Sequence, residues 1–340
     1  MRLTSRLGAL AAVLVLAVVL GVAVAGCGDS DDTSDAGSPS AAADATSQAY
    51  TIGITQIVSH PALDAAVAGF KEALAEKGFT NVTYDDQNAQ GDMATASSIA
   101  QKFAGAGLDL VLGVATPTTQ AVVKADTTTP IVFTAVTDPV GAGLVTDPDA
   151  PSANVTGVSD MLPVEPHLEL IKQIVPDVKT VGVIYNAGES NSVFLIDAEK
   201  AAAQAMGIEI VEATASNSSE VQAAAESLVG RVDAISVLTD NTAVSALESI
   251  IKIAEQNKIP LISGDTDSVK RGAVAAYAFD YKDLGMQAGY QAAAILSGTP
   301  IADIPVEYAE NLQLSVNAAA ATAMGVTIPD ELSAEAQNQF

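Results

Sequence analysis

The residues best suited to chemistry are small and polar, and they recur just after apolar runs. Ser59, His60 and Pro61 close the stretch from Ile52; Thr116, Pro117 and Thr118 close the one from Leu108. Thr137, Asp138 and Pro139 follow Ile131–Val136, and Asn186, Glu189, Ser190 and Asn191 follow the run from Val181 to Tyr185. Asp240, Asn241 and Thr242 follow the run from Ala234, and Asp265 and Thr266 the one from Pro260. Lys and Arg are absent from all of these turns. Asp138, Glu189, Asp240 and Asp265 therefore need a cation from elsewhere if they line a water-poor cleft, and a ligand ammonium group supplies one. Hydroxyls and free amides at helix starts, as at Thr116–Thr118 or Ser190–Ser192, suit a carboxylate. Together they describe a zwitterionic amino acid.

Several of these residues have a competing local role. Asp240 and Asp265 are also good helix caps, Ser190 and Asn191 could cap the helix near Val193, and Asp138 before Pro139 suits a turn. His60 is equally a ligand contact or a cap; His167, within a helical pattern, reads as a surface or packing residue. Tyr185, Phe279 and Tyr281 are candidates to flank a ligand side chain, whereas Phe133 in mid-strand reads as core. The chain has no Trp and is 4% aromatic, which lowers the case for sugar stacking.

These positions imply the elements that must carry them. An unbroken Val/Ile/Phe run is a strand covered on both faces, as in parallel sheets beneath helices, and ligands of such sheets bind beyond the strands' carboxyl ends. Helical spacing predicts helices over Leu63–Lys77, Met93–Ala106, Pro163–Ile174, Val193–Met206, Val221–Leu228, Val244–Gln256 and Leu284–Leu296. A strand over Leu312–Asn317 and a helix over Ala318–Met324 follow. Strand and helix alternate, so the class is α/β with parallel sheets.

The chain of 340 residues opens with Arg2, Arg6 and an uncharged apolar run from Leu7 to Val24, as in a secretory signal peptide over residues 1–26. An uncleaved membrane anchor is the alternative. Val24-Ala25-Gly26-Cys27 resembles a bacterial lipobox, which makes Cys27 the lipidated residue and the chain extracytoplasmic and anchored to the cell membrane. Cys27 is the only cysteine, so no intramolecular disulfide forms. Residues 27–49, rich in Ser, Asp, Ala and Gly, read as a flexible tether. The remaining length suits two lobes. A formal charge of -26 disfavours nucleic-acid and anionic-lipid partners. A G-x-S-x-G elbow is absent and only two histidines are present, which argues against an enzyme. Asp265-Thr266-Asp267 lacks further oxygen ligands for a metal, and Gly141-Ala142-Gly143 lacks the third glycine of a dinucleotide fingerprint. No cofactor is expected.

Longer phrases carry a family resemblance: Ser59–Asp64, Phe133–Val145, Asn154–Met161, Leu168–Pro176, Thr239–Glu248 and Gly264–Ala273. Over about Tyr50 to Pro329 the chain resembles the solute-binding lipoproteins of ABC importers, in the branch associated with tryptophan and other aromatic amino acids. The resemblance implies a type I periplasmic-binding-protein fold: two Rossmann-like lobes with parallel sheets, joined by a three-crossing hinge and closing on a small ligand. It implies one lobe from residues 50–157 and 282–304, the other from 158–281 and 305–340. Partners are then an amino acid and the permease and ATPase subunits. A sensory lipoprotein, or a binder of a branched-chain amino acid, nucleoside or sugar, remains open at this stage.

Overall fold

The computed structural model describes residues 45–151, 154–309 and 311–340. The expected signal peptide, Cys27 and tether residues 27–44 lie outside the described residues. The chain alternates from β1 (Tyr50–Gln56) through α1 (Pro61–Glu76), β2 (Val82–Asn88), α2 (Met93–Ala104), β3 (Leu110–Val114), α3 (Thr116–Ala125) and β4 (Ile131–Val136) to β5 (Val155–Ser159). It continues through α4 (Val164–Ile174), β6 (Thr180–Tyr185), α5 (Ser190–Met206), β7 (Glu209–Thr214) and α6 (Val221–Leu228). Then come β8 (Ala234–Val237), α7 (Asn241–Ser245), α8 (Leu247–Asn257), β9 (Leu261–Ser263), α9 (Thr266–Arg271) and β10 (Ala275–Ala278). Last are α10 (Tyr281–Leu296), β11 (Glu307–Tyr308), β12 (Gln313–Val316), α11 (Ala318–Ala323), α12 (Asp330–Glu335) and β13 (Asn338–Gln339).

Two sheets result. The first runs β11-β5-β4-β3-β1-β2 with every pairing parallel. The second runs β13-β12-β10-β9-β8-β6-β7 and is parallel except where β12 returns antiparallel to β10. The central strands β3, β4 and β5 are buried along their whole length, β3 and β4 as their apolar runs require. Edge strands β2 and β7 are half-exposed. Their mixed sequences, Val-Thr-Tyr-Asp-Asp-Gln-Asn and Glu-Ile-Val-Glu-Ala-Thr, offer no apolar run to read.

The chain passes between the sheets three times: from β5 to α4, from β10 to α10, and from β11 to β12. Helix α10 packs along α1, close enough that a Cβ at Gly69 or Gly285 would overlap the backbone carbonyl of Lys282 or Ala66. Two details differ from the sequence reading. Residues 158–281 and 305–340 were expected in the second lobe, but Val158–Ser159 complete β5, and Glu307–Tyr308 pair with them, in the first sheet. The end of the expected tether also folds back, since the Tyr50 hydroxyl donates to the carbonyls of Ala45 and Leu296 at 3.1 and 3.3 Å.

A cleft lined by acids and helix starts

Five helix N-termini converge where the two sheets' carboxyl ends face each other. His60 caps α1, its Nδ1 accepting from Leu63 N at 3.5 Å, and Pro61 starts that helix with no donor to lose. Asp240 caps α7 by accepting from Ala243 N at 2.6 Å. Asp265 caps α9 by accepting from Ser268 N at 2.7 Å. Helices α3 and α5 start without any side-chain cap, so their first amides stay available. Two alanines at the first lobe's rim hold left-handed backbone, Ala115 at φ 74° and Ala135 at φ 57°. Ala135 sits where the β4–β5 register shifts. Such conformations cost roughly 1–3 kcal/mol each and cluster at ligand sites.

At the centre lies a small cavity of about 20 Å³. Its walls carry His60 and Ala135 from the first lobe, Asp160 and Tyr281 from the crossings, and Asn191, Asp240, Asn241 and Asp265 from the second. Asp160, Asp240 and Asp265 are each only 2% exposed. No Lys or Arg lines this cavity. Burial pushes all three carboxyls above the usual range. For Asp160, hydrogen bonds from Tyr281 and Thr137 act against that, and for Asp265 those from Ser268. Asp240 is pushed up to about 7, by burial first and by the charge of Glu189 second. Burial likewise pushes His60 down to about 4, helped by the charge of Arg271; Asp64 and a hydrogen bond with Asn241 oppose it.

Much of the second wall is held rigidly by its own bonds. Asp240 Oδ2 accepts from Asn186 N at 2.7 Å and Ser192 Oγ at 2.6 Å. Glu189 accepts from the amide and side chain of both Asn241 and Thr242, and so braces the start of α7 from the start of α5. Asn186 Nδ2 donates to the Thr242 hydroxyl at 2.9 Å.

Two further spaces flank it, one sharing Asn191 with it and the other Asn241. One groove, about 180 Å³, runs between the uncapped starts of α3 and α5 and is lined by Thr116, Asp138, Ser190 and Asn191. The Thr116 hydroxyl and the Asn191 carbonyl oxygen are buried there without a hydrogen-bond partner. On the other side a wider space of about 320 Å³ is lined by Ile57, Met93 and Pro117 opposite Asn186, Glu189 and Thr242.

The structure sorts the sequence candidates. His60, Asn191, Asp240, Asn241, Asp265 and Tyr281 meet around the cavity; Thr116, Pro117, Asn186, Ser190 and Thr242 line the spaces flanking it. Thr137 acts from behind, donating to Asp160 at 3.1 Å. Asp138 makes the turn, accepting from Gly141 N at 2.9 Å, and only borders the groove. Ser59 is exposed and donates to Asp64 in the first turn of α1. Tyr185 points away, donating to Glu212 of the edge strand β7 at 2.6 Å. Asp160, absent from the candidates, accepts from Tyr281 at 2.6 Å and stands at the cavity wall. It follows the short run Val155-Thr-Gly-Val-Ser159, whose Gly and Ser hide a buried strand; the polar-residue-after-strand pattern was the available signal.

Two α/β lobes sharing a polar cleft at their strand ends define a type I binding protein, not an enzyme fold built around a reacting group. The sequence profile of ABC transporter substrate binding proteins matches residues 51–340, and the chain belongs to that family. A tyrosine-binding protein from Clostridioides difficile is 42% identical over 308 residues, spanning 89% of either chain. The L-Trp complex of an ABC domain from Streptococcus pneumoniae superposes with a TM-score of 0.83 at 34% identity, over 86% of this chain and 100% of that one. A ligand-free, open substrate-binding protein from Clostridium difficile with adhesive properties gives 0.64 at 41% identity, over 86% and 99%. Among the described residues no helix is long and apolar enough to cross a membrane.

Proposed function

We propose that this protein captures an α-amino acid, with aromatic ones preferred, and presents it in a closed form to the permease of an ABC importer. One observation carries the reading: the cleft separates charge preferences as a zwitterion does. Asp160, Asp240 and Asp265 offer a buried acidic cavity for an ammonium group. Asn191 lines both that cavity and the groove where Thr116 and two uncapped helix starts await a carboxylate. The aromatic preference is supported by the tyrosine and tryptophan that the two relatives' names state.

The better superposition on the L-Trp complex than on the open structure, despite lower identity, supports reading the present conformation as closed. Closing then works by differential binding. Three desolvated carboxylates disfavour an empty closed cleft, and a ligand that bridges both lobes relieves them and shifts the hinge population. Lipidation at Cys27, after removal of residues 1–26, is the proposed tie to the membrane, with the ATPase on the far side of the permease.

The test is a thermal-unfolding panel of amino acids, nucleosides and sugars on protein stripped of carried-over ligand. A ligand at a thousand times its dissociation constant stabilises by about 4 kcal/mol. Stabilisation by Tyr, Trp or Phe is expected. Stabilisation by a sugar or nucleoside, and by no amino acid, overturns the reading.

A further inference from the structure

The second lobe also buries an acid that ligand capture does not use. Glu199 of α5 is 0% exposed, and neither of its carboxyl oxygens completes a hydrogen bond among the described residues. Its neighbour Ser236, on β8, stands 2.9 Å from Nε2 of His167 on α4. His167 is also wholly buried, with Nδ1 unpartnered. The sequence placed His167 only as a surface or packing residue.

Burial pushes Glu199 up to about 7, opposed by the Ser236 hydroxyl, and burial by itself pushes His167 down to about 4. The Ser236 hydroxyl is the side chain that opposes burial at Glu199, and among the described residues no hydrogen bond or ion pair reaches the Glu199 carboxyl oxygens. An ionised Glu199 would thus lie in the core without a cation, whereas a neutral carboxyl brings a donor to the one atom that can accept it.

Ser236 has one hydroxyl proton and oxygen lone pairs to spare. With Glu199 protonated, its O–H donates to Ser236 Oγ, the Ser236 O–H donates to His167 Nε2, and the imidazole proton sits on Nδ1. With Glu199 ionised, Ser236 turns its proton to the carboxylate, and His167 must carry its own on Nε2 to donate to Ser236. One proton leaves and one moves across the ring; only the Nδ1–H of the first arrangement lacks an acceptor among the described residues, which favours the second once Glu199 ionises.

The three elements involved are those whose forward ends build the cleft. Helix α5 begins at Ser190–Ser192, β8 leads within four residues to Asp240, and α4 follows the crossing at Asp160. Ser192 and Asp240 are hydrogen-bonded to each other at the front. We infer that Glu199, Ser236 and His167 form a proton-holding brace that positions α5 against β8 and so sets the second wall of the amino-acid cleft. Glu199 and His167 act as positioning residues, and the inference rests on the proposed amino-acid site.

The experiment follows the ring nitrogens of His167 by NMR in the 15N-histidine-labelled protein, native and Glu199→Gln, from about pH 5 to about pH 9. His60 provides an internal reference, being held on Nε2 by the Leu63 amide. The native protein should shift His167 from the Nδ1–H to the Nε2–H tautomer as Glu199 ionises. E199Q, whose amide donates to Ser236 at every pH, should keep Nδ1–H throughout. The ratio of L-tyrosine dissociation constants, E199Q over native, should be near unity at about pH 5 and depart several-fold at about pH 9, with the effects of cleft acids common to both proteins cancelling. A native His167 tautomer that does not change with pH, or a ratio that stays flat, overturns the inference. If E199Q does not fold, Ser236→Ala replaces it and should abolish the native tautomer shift; persistence of the shift also overturns the brace. Absence of any L-tyrosine binding would sink the ligand reading instead, and the tautomer series on the native protein would still decide the brace.

Discussion

Replacing Asp160 with asparagine isolates the proposed ammonium site from the fold. Asp160 is 2% exposed and accepts from the hydroxyls of Tyr281 at 2.6 Å and Thr137 at 3.1 Å. An amide oxygen can accept from one of them, and a hydroxyl can turn to accept from the amide nitrogen, so the packing survives. What is lost is a negative charge facing the ligand. Two unit charges ~4 Å apart at an effective dielectric of about 20 attract by about 4 kcal/mol. Part of that is offset by desolvation, and Asp240 and Asp265 remain, so a charge-assisted hydrogen bond of about 1.5–3 kcal/mol is the better guide. Dissociation constants for an aromatic amino acid should therefore rise roughly 10- to 150-fold, measured by titration calorimetry near neutral pH.

The ligand-free protein should behave in the opposite sense. Burial holds the Asp160 carboxyl above its ordinary value, so its ionisation costs stability as pH rises above that value, and an amide avoids the cost. Ligand-free Asp160→Asn should therefore melt at the native temperature or above it. An affinity within twofold of native, in a variant that melts normally, would refute the assignment of Asp160 to the ammonium group.

Three further outcomes follow from the geometry. Thr116→Val removes the unpartnered hydroxyl of the groove and should weaken L-tyrosine about tenfold, consistent with loss of one charge-assisted bond, while leaving tyramine, which lacks the carboxylate, unchanged; equal losses for both would place the carboxylate elsewhere. Asp240, pushed up to about 7, binds its proton more tightly when folded, so native stability should fall as pH rises from about 4 to about 7 and level off above. Asp240→Asn should flatten that slope, yet lower stability by about 1–3 kcal/mol, because two of the donors around Asp240 would face an amide nitrogen; a parallel slope in thermal unfolding would contradict the shift. Tyr185→Phe should cost about 1 kcal/mol through the lost bond to Glu212 and change ligand affinity less than twofold, and a larger loss of affinity would return Tyr185 to the site.

Legibility in the sequence followed burial. Helix Val221–Leu228 was read to the residue and most of the other predicted helices to within a few positions, because each lays an apolar stripe on a sheet, whereas α3 (Thr116–Ala125) was not given bounds. The helix read over Val244–Gln256 is two in the structure, α7 and α8, broken at Ala246; the start was missed because Asp240 caps at Asn241, ahead of the apolar pattern. Strands β2, β5, β7 and β10 were not read at all, β2 and β7 because a sheet edge tolerates polar residues, and β5 because it is short and carries Gly and Ser.

Composition and order along the chain were enough to establish alternating strands and helices, polar turns at the strand ends, an excess of acid in those turns and the family phrases. Each is a local property, set by what one segment must bury or cap. Which polar residues actually meet was decided by the tertiary structure alone. Asp138 and Tyr185 occupy the same kind of position as Asp240 and Tyr281, yet one closes a turn and the other faces a sheet edge. Asp160 enters the cavity because a crossing between lobes begins there, and Glu199, Ser236 and His167 meet because a strand packs beneath two helices. Partners far apart in sequence are brought together only by the packing of whole elements, and no single segment encodes it.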